Sequence, residues 1–228
     1  MYQQSAENLA NEISKGNGNV FYVFNPLGWI RSDYADIRYS GTDDFRIIDI
    51  TTGDEIAAQK IIKNNNSFIR IWAKDVPAVG YRIFEIKKGI SKKPSAAAKF
   101  KNGTLQSSAY KIRITKSGAI TSWIDLATKK ELVKKVNNRY LNDAGFTLIN
   151  EGDELKIENE GPVSTTVKAV SSHPFKHTTR ITVFKNNRRI EIEDSILQNF
   201  RDLKTWAYSF NFTKPVTRHE ELSAVLTA

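Results

Sequence analysis

Apolar and polar side chains alternate with a period of two from Val20 to Lys87, which is the pattern of strands that bury one face. Turn signals such as Thr52-Gly53-Asp54 interrupt this alternation. Short strands at this spacing predict a small antiparallel β-sandwich. The predicted strands span 20–24, 33–39, 45–50, 55–62, 67–73 and 80–87.

A second series of alternating segments follows, and its longer strands predict a larger β-sandwich. The turns Lys116-Ser117-Gly118 and Lys185-Asn186-Asn187-Arg188 have the composition of tight hairpins. The predicted strands span 108–115, 119–125, 131–135, 155–160, 163–171, 177–185, 188–197 and 205–212.

Two further segments have other patterns. Residues 3–15 carry apolar side chains at helical spacing and end at Gly16, which predicts one short helix that must pack on another element. Residues 89–102 are rich in lysine and alanine, which is typical of a solvated basic linker. The predicted fold is therefore all-β with a short N-terminal helix. Its segments are the helix at 1–17, the small sandwich at 18–88, the linker at 89–102 and the large sandwich at 103–228.

Composition narrows the possible partners. Lys and Arg number 34 against 25 Asp and Glu, a net charge of +9, and much of this excess lies in the lysines of 87–101. No nucleic-acid-binding motif accompanies the charge and no apolar run has the length of a bilayer span, so neither nucleic acid nor membrane is an expected partner. The absence of cysteine excludes disulfides and thiolate zinc sites. The sequence does not indicate a cellular compartment.

The acidic and histidine side chains predict no catalytic or metal site. Glu191 and Glu193 share one strand face, a spacing compatible with the carboxylate pair of a glycosidase, but the wet face of a half-buried strand has the same pattern and is favoured. His173 and His177 would suit zinc on a helix, and Pro174 between them argues against a helix.

The aromatic residue of most interest is Trp29. Any of the four tryptophans could stack on a sugar ring, although aromatic side chains more often supply core area. Trp29 and Arg31 follow the junction between the helix and the first strand, where a large ring and a planar cation suit packing between domains. These two residues are the predicted inter-domain contacts.

Several motifs, in order along the chain, resemble the β-region of family 38 α-mannosidases. Residues 23–31, Val-Phe-Asn-Pro-Leu-Gly-Trp-Ile-Arg, resemble the segment that opens this region after a helical bundle. Residues 75–82, Asp-Val-Pro-Ala-Val-Gly-Tyr-Arg, resemble the close of its first small β-domain. Later matches are 110–114 with 118–125, which resemble the first hairpin of a large sandwich similar to the galactose-mutarotase superfamily, and 160–163 and 189–193.

The resemblance implies a non-catalytic C-terminal β-region that supports the hydrolysis of mannose-containing glycans by a parent enzyme. The parent's catalytic α/β domain and helical bundle would be its partners, and residues 1–17 would be the last helix of that bundle. Zinc and the catalytic carboxylate belong to the α/β domain of such enzymes, and nothing in this sequence matches that domain. No cofactor is therefore expected here. The family's large sandwich also continues further, which leaves the completeness of 103–228 open.

Two alternatives remain. The first is a free-standing carbohydrate-binding β-sandwich module, which would have measurable affinity for an oligosaccharide. The second is an aldose-mutarotase-like enzyme, which needs a His and a Glu that converge in a cleft. None of the three histidines can be matched to that role.

Overall fold

A computed structural model gives the fold of the chain. It describes residues 8, 19–63, 65–91, 95–145, 152–185, 187–199, 205–213, 218–221 and 224–227. The predicted helix over 3–15 lies outside these residues, apart from Asn8.

The described residues form antiparallel β-structure, as the alternation predicts. The strands before residue 90 are β1 (Val20–Asn25), β2 (Arg31–Arg38), β3 (Phe45–Asp49), β4 (Glu55–Ile56), β5 (Ala58–Lys63), β6 (Asn66–Val76) and β7 (Gly80–Lys88). Those that follow are β8 (Ala98–Lys101), β9 (Thr104–Ser107), β10 (Tyr110–Ile114), β11 (Ile120–Asp125), β12 (Leu141–Asp143), β13 (Glu154–Glu160), β14 (Ser164–Ser171), β15 (His177–Phe184), β16 (Ile190–Ile196), β17 (Ala207–Tyr208), β18 (Arg218–Glu221) and β19 (Ala224–Thr227).

The chain divides into two compact units, and the division runs through β13 to β16. The first unit contains Met1–Lys99, Ile157–Val167 and Ile181–Glu191, and the second contains Phe100–Lys156, Lys168–Arg180 and Ile192–Ala228. The four strands at the division form one sheet of order β13-β14-β15-β16. The assignment of 18–88 and 103–228 to separate domains stays a prediction.

The first unit contains the small sandwich. Its two sheets have the strand orders β1-β7-β3-β4 and β2-β6-β5. Ile47 and Phe84 from the first sheet and Ile69 and Ile71 from the second are completely buried in one cluster. Burial of such side chains stabilises the fold by about 1.5–3 kcal/mol each and fixes which face of each strand points inward.

The second unit contains most of a six-stranded sheet of order β17-β12-β11-β10-β9-β8. Leu105, Ile112, Ile120 and Leu141 lie on four successive strands of this sheet and are completely buried. The predicted hairpin turn at 116–118 is confirmed, because β10 and β11 pair antiparallel across it. The prediction of a fold built from β-sheets is confirmed for the described residues.

Two segments differ from expectation. The predicted strand 131–135 is wrong: only isolated bridges occur there, at Glu131 and Val133. The Glu131 carboxylate accepts the backbone amides of Trp123 and Val133 at 2.7 and 2.9 Å, so a side chain takes the place of a ladder partner. In the predicted linker, residues 98–101 form β8, and Ala97 and Ala98 are buried. This end of the segment is therefore sheet rather than solvated chain.

Candidate functional site

Asn25 connects the loops of the first two motifs, which span residues 23–31 and 75–82. Its side chain is 3% exposed, and its Nδ2 donates to the carbonyl oxygens of Trp29, Val76 and Pro77 at 2.7, 3.1 and 3.0 Å. Its Oδ1 accepts the amide of Leu27 at 3.1 Å. An amide group supplies both the donors and the acceptor that this position needs, which a carboxylate cannot do. Asn25 therefore fixes the loop after β1 against the loop between β6 and β7.

The two joined loops expose large apolar side chains. Trp29, Ile30 and Val79 are 63%, 67% and 78% exposed, and we call these three residues the Trp29 edge. Val79 has a φ of 44°, a conformation that is unusual for a β-branched residue and costs on the order of 1–3 kcal/mol. Clustered apolar exposure of this kind marks surfaces that contact other proteins or ligands.

Arg31 lies beside a small cleft in the same unit. The cleft has a volume of about 130 Å³, and its lining includes Asn25, Arg31, Asp33 and Tyr34. Asp33 Oδ2 accepts from Arg31 Nη2 at 2.5 Å and from Arg189 Nη1 at 3.3 Å. The structure thus places both predicted contact residues near one loop, Trp29 at the surface and Arg31 in an ion pair. Their role in packing between domains is still a prediction.

A second group of polar residues in the first unit surrounds Arg70. The guanidinium is buried, and it contacts both carboxylate oxygens of Asp36 at 2.7 Å each. It also donates to Ser164 Oγ at 3.1 Å and lies 4.5 Å above the ring of Tyr34. Tyr34 in turn stacks on Phe184 at 4.8 Å. Each of the three guanidinium nitrogens has a protein partner, so this cluster is built to hold the sheets rather than to bind a ligand.

Glu191 and Glu193, the carboxylates weighed as a catalytic pair, each have a cationic partner. Glu191 accepts from Tyr34 Oη at 3.0 Å and from Arg189 at 2.5 Å. Burial, together with the negative charge and hydrogen bond of Glu191, raises the pKa of Tyr34 to about 12. Glu193 lies 3.6 Å from Arg180 in the second unit. These contacts fit the interpretation of both side chains as structural or surface groups.

The buried histidine of the second unit is His177, and its ring nitrogens contact the backbone. His177 is 1% exposed, and its Nδ1 and Nε2 lie 2.8 and 2.9 Å from the carbonyl oxygens of Phe175 and Ser117. Each ring nitrogen is therefore directed at a carbonyl oxygen of the protein rather than at a position open to a cation. Over the described part of the chain, no group of three or more His, Cys, Asp or Glu side chains could hold a metal ion.

Asp194 in the second unit also accepts several hydrogen bonds from the protein. Its Oδ1 accepts from Thr179 and Asn142 at 2.5 and 3.2 Å, and its Oδ2 accepts from Tyr208 at 3.2 Å. Burial and the adjacent Asp194 charge raise the pKa of Tyr208 to about 12. A carboxylate with three protein donors is a poor candidate for a general base, because three of its roughly four lone pairs already have partners.

The other three tryptophans are less exposed than Trp29. Trp72, Trp123 and Trp206 are all half-buried. Trp123 packs edge-on against Tyr110 at 5.4 Å, and Trp206 packs against Phe175 at 5.6 Å. These two serve the core, as the more common use of aromatic side chains predicts. Among the four tryptophans, Trp29 has the ring most open to a partner.

The second unit has a larger cleft, which we call the basic cleft. Its volume is about 390 Å³, and it lies where the turn between β8 and β9 meets the end of β10 and the start of β13. Asn102 and Gly103 in that turn have φ values of 50° and 74°, the geometry of a tight hairpin. Its lining includes Phe100, Asn102, Arg113, Lys116, Thr121 and Leu155. The sequence offered no motif for this cleft, because its residues come from separate hairpins.

No helix in the described part of the chain is long and apolar enough to span a bilayer.

Comparison with solved structures identifies the fold. The chain is similar to an α-mannosidase from Enterococcus faecalis V583, with a TM-score of 0.60 and 15% identity over 92% of this chain and 33% of that one. It is also similar to a protein in glycosyl hydrolase family 38 from Enterococcus faecalis, with a TM-score of 0.59 and 13% identity over 92% of this chain and 35% of that one. No family model matches the sequence. No curated protein matches it either.

The chain therefore has a fold that occurs in family 38 glycoside hydrolases and spans about a third of the length of the two solved chains. This confirms the fold that the motif resemblance implied. Asn25 is the residue whose importance sequence reasoning missed, although it stands inside a quoted motif. Its signal was an Asn directly before a Pro at a strand end, a position where a side-chain amide commonly caps a turn.

Proposed function

We propose that this chain is a supporting β-region of an α-mannosidase-like glycoside hydrolase and does not hydrolyse glycosides alone. One observation carries the proposal: 92% of the chain matches the fold of an α-mannosidase while covering only 33% of that protein. The remaining two thirds of such an enzyme would supply the catalytic α/β domain, its zinc ion and the helical bundle. Mannose-containing glycans would be the substrate of the whole enzyme.

The contacts of three candidate carboxylates support the proposal that this chain does not hydrolyse glycosides. A glycosidase needs two carboxylates across the scissile bond, one of them free to protonate the leaving group. Glu191 and Asp194 are both held by protein donors. Glu193 lies beside Arg180 at 3.6 Å.

The Trp29 edge supports a role in packing. Trp29, Ile30 and Val79 expose apolar area on loops that Asn25 holds in place, so the surface is ordered before any partner binds. A preformed apolar surface loses little conformational entropy on association. We infer that Trp29 and Arg31 contact the neighbouring domain of the parent enzyme.

An exposed Trp ring could instead serve a free-standing carbohydrate-binding module, and Trp29 is the observation that favours this second function. Titration with a mannose oligosaccharide, followed by tryptophan fluorescence, separates the two. The supporting role predicts no saturable change in emission up to millimolar glycan. Saturable quenching that disappears in a Trp29→Ala variant would replace the proposed role with the binding module, and Trp123→Phe is the matched control.

A further inference from the structure

We propose that the basic cleft of the second unit binds the phosphate ester of a hexose-sized molecule. The cleft volume of about 390 Å³ falls within the range of small-molecule sites, roughly 300–1,000 Å³. The inference does not rest on the proposed function, because it uses only residues of this cleft.

The charge of the lining selects an anion. Arg113 and Lys116 both line the cleft, and none of the described lining residues is Asp or Glu. Within the described ranges, neither cation has an ion pair, whereas Arg70 and Arg82 each contact a carboxylate. An Arg and a Lys that line one cavity without an ion pair among the described residues favour an anionic ligand.

The number of cations favours a phosphate monoester over a carboxylate. A phosphate monoester carries about −1.5 to −2 charges at neutral pH, which two cations balance. The planar guanidinium of Arg113 matches two phosphate oxygens, and the Lys116 ammonium acts as a point charge beside it.

The remaining lining provides room for a sugar. Phe100 and Leu155 supply apolar walls, and Asn102 and Thr121 supply polar groups at the same cavity. A pyranose ring presents apolar C–H faces and hydroxyl edges, so this mixture suits it. Inorganic phosphate alone would leave the apolar walls without contact.

Calorimetric titration of the whole chain with glucose 6-phosphate, glucose and inorganic phosphate tests the proposal. We expect saturable binding of glucose 6-phosphate, at least about tenfold tighter than that of inorganic phosphate, and no binding of glucose. Arg113→Gln and Lys116→Gln should each weaken the affinity about tenfold or more, as loss of a charge-assisted hydrogen bond predicts. Lys111→Gln removes the same charge from the same strand outside the cleft, and should change the affinity less than about twofold.

Three results would overturn the proposal: no saturable binding of glucose 6-phosphate, equal affinity for inorganic phosphate, or an equal loss in Lys111→Gln. If one cleft variant fails to fold, the other still decides the outcome, since each is predicted to weaken binding independently. Circular dichroism of each variant checks the fold.

Discussion

Two arginines of the first unit and two cations of the second unit have different surroundings. In the first unit, Arg70 contacts both oxygens of Asp36 at 2.7 Å and Arg82 contacts Asp49 at 2.6 Å. In the second unit, Arg113 and Lys116 line a cleft and, within the described ranges, have no carboxylate partner. The difference separates charges that hold a fold from charges that remain available to a ligand, although both kinds look alike in the sequence.

The largest expected effect is that of breaking the Arg70 pair. Replacing Arg70 by Met leaves Asp36 partly buried without its cation and removes the group above the Tyr34 ring. The free energy of unfolding should fall by about 3–5 kcal/mol, measured by urea denaturation. Arg38→Met, at an exposed position of the same sheet, is the control and should lose no more than about 0.5 kcal/mol. Equal losses at the two positions would show that the buried pair has no special role.

A smaller effect on the free energy of unfolding is expected at Asn25. This variant compares the hydrogen bonds of a neutral amide with the ion pair of Arg70. Asn25→Ala leaves three carbonyl oxygens without their donor and should lower the free energy of unfolding by about 2 kcal/mol. Asn25→Asp keeps the shape but cannot donate, and should lose at least as much. Retained stability in Asn25→Asp would contradict this account of the loop.

A variant of Glu131 tests whether a charged side chain of the second unit also contributes to the free energy of unfolding. Burial alone would raise the pKa of Glu131, but hydrogen bonds from Ser122 and from the amides of Trp123 and Val133 outweigh it and lower the pKa below 4.5. A lowered folded pKa gives stability that is present above pH 4.5 and is lost as the pH falls through the folded value.

Glu131→Gln should therefore cost about 1 kcal/mol at pH 7, a modest value because the carboxylate is partly solvated. The gap between wild type and variant should narrow as the pH falls below 4.5. Glu154→Gln, in an exposed ion pair with Lys156, is the matched control and should show almost no gap. A gap that is independent of pH would mean that the charge does not act as described.

The smallest effect on stability is expected at the basic cleft. Arg113→Gln and Lys116→Gln remove cations that have no carboxylate partner among the described residues, so the free energy of unfolding should change by no more than about 0.5 kcal/mol. Thermal unfolding of each variant beside Arg70→Met gives the comparison directly. A loss of several kcal/mol at either position would place these cations with the structural ones.

The period of two predicted most of the strands because many of them bury one face, as β10 does with Tyr110, Ile112 and Ile114. The strand β7, for example, was predicted at 80–87 and is found at Gly80–Lys88. The short strands β8 and β9 were missed, although Asn102-Gly103 between them is a strong hairpin signal, because the lysines around them have the composition of a linker. The lysine-rich composition therefore led to the prediction of a linker where the Asn-Gly pair indicated a hairpin.

The candidate sites were less accessible to sequence reasoning. Trp29 could be singled out because a large ring beside a strand end is conspicuous in the sequence, and it is indeed exposed. Phe100, Arg113 and Leu155 stand far apart in the chain and meet only after the hairpins have formed. The pairing of Arg70 with Asp36 likewise depends on the register of β2 against β6, which alternation alone does not give.

The central claim is that this chain supports a hydrolase without performing the hydrolysis. Its most direct test is release of the aryl group from an aryl α-mannoside by the purified wild-type chain in the presence of zinc. The account predicts a rate no higher than that of buffer with zinc alone. Robust hydrolysis that requires the metal would contradict it.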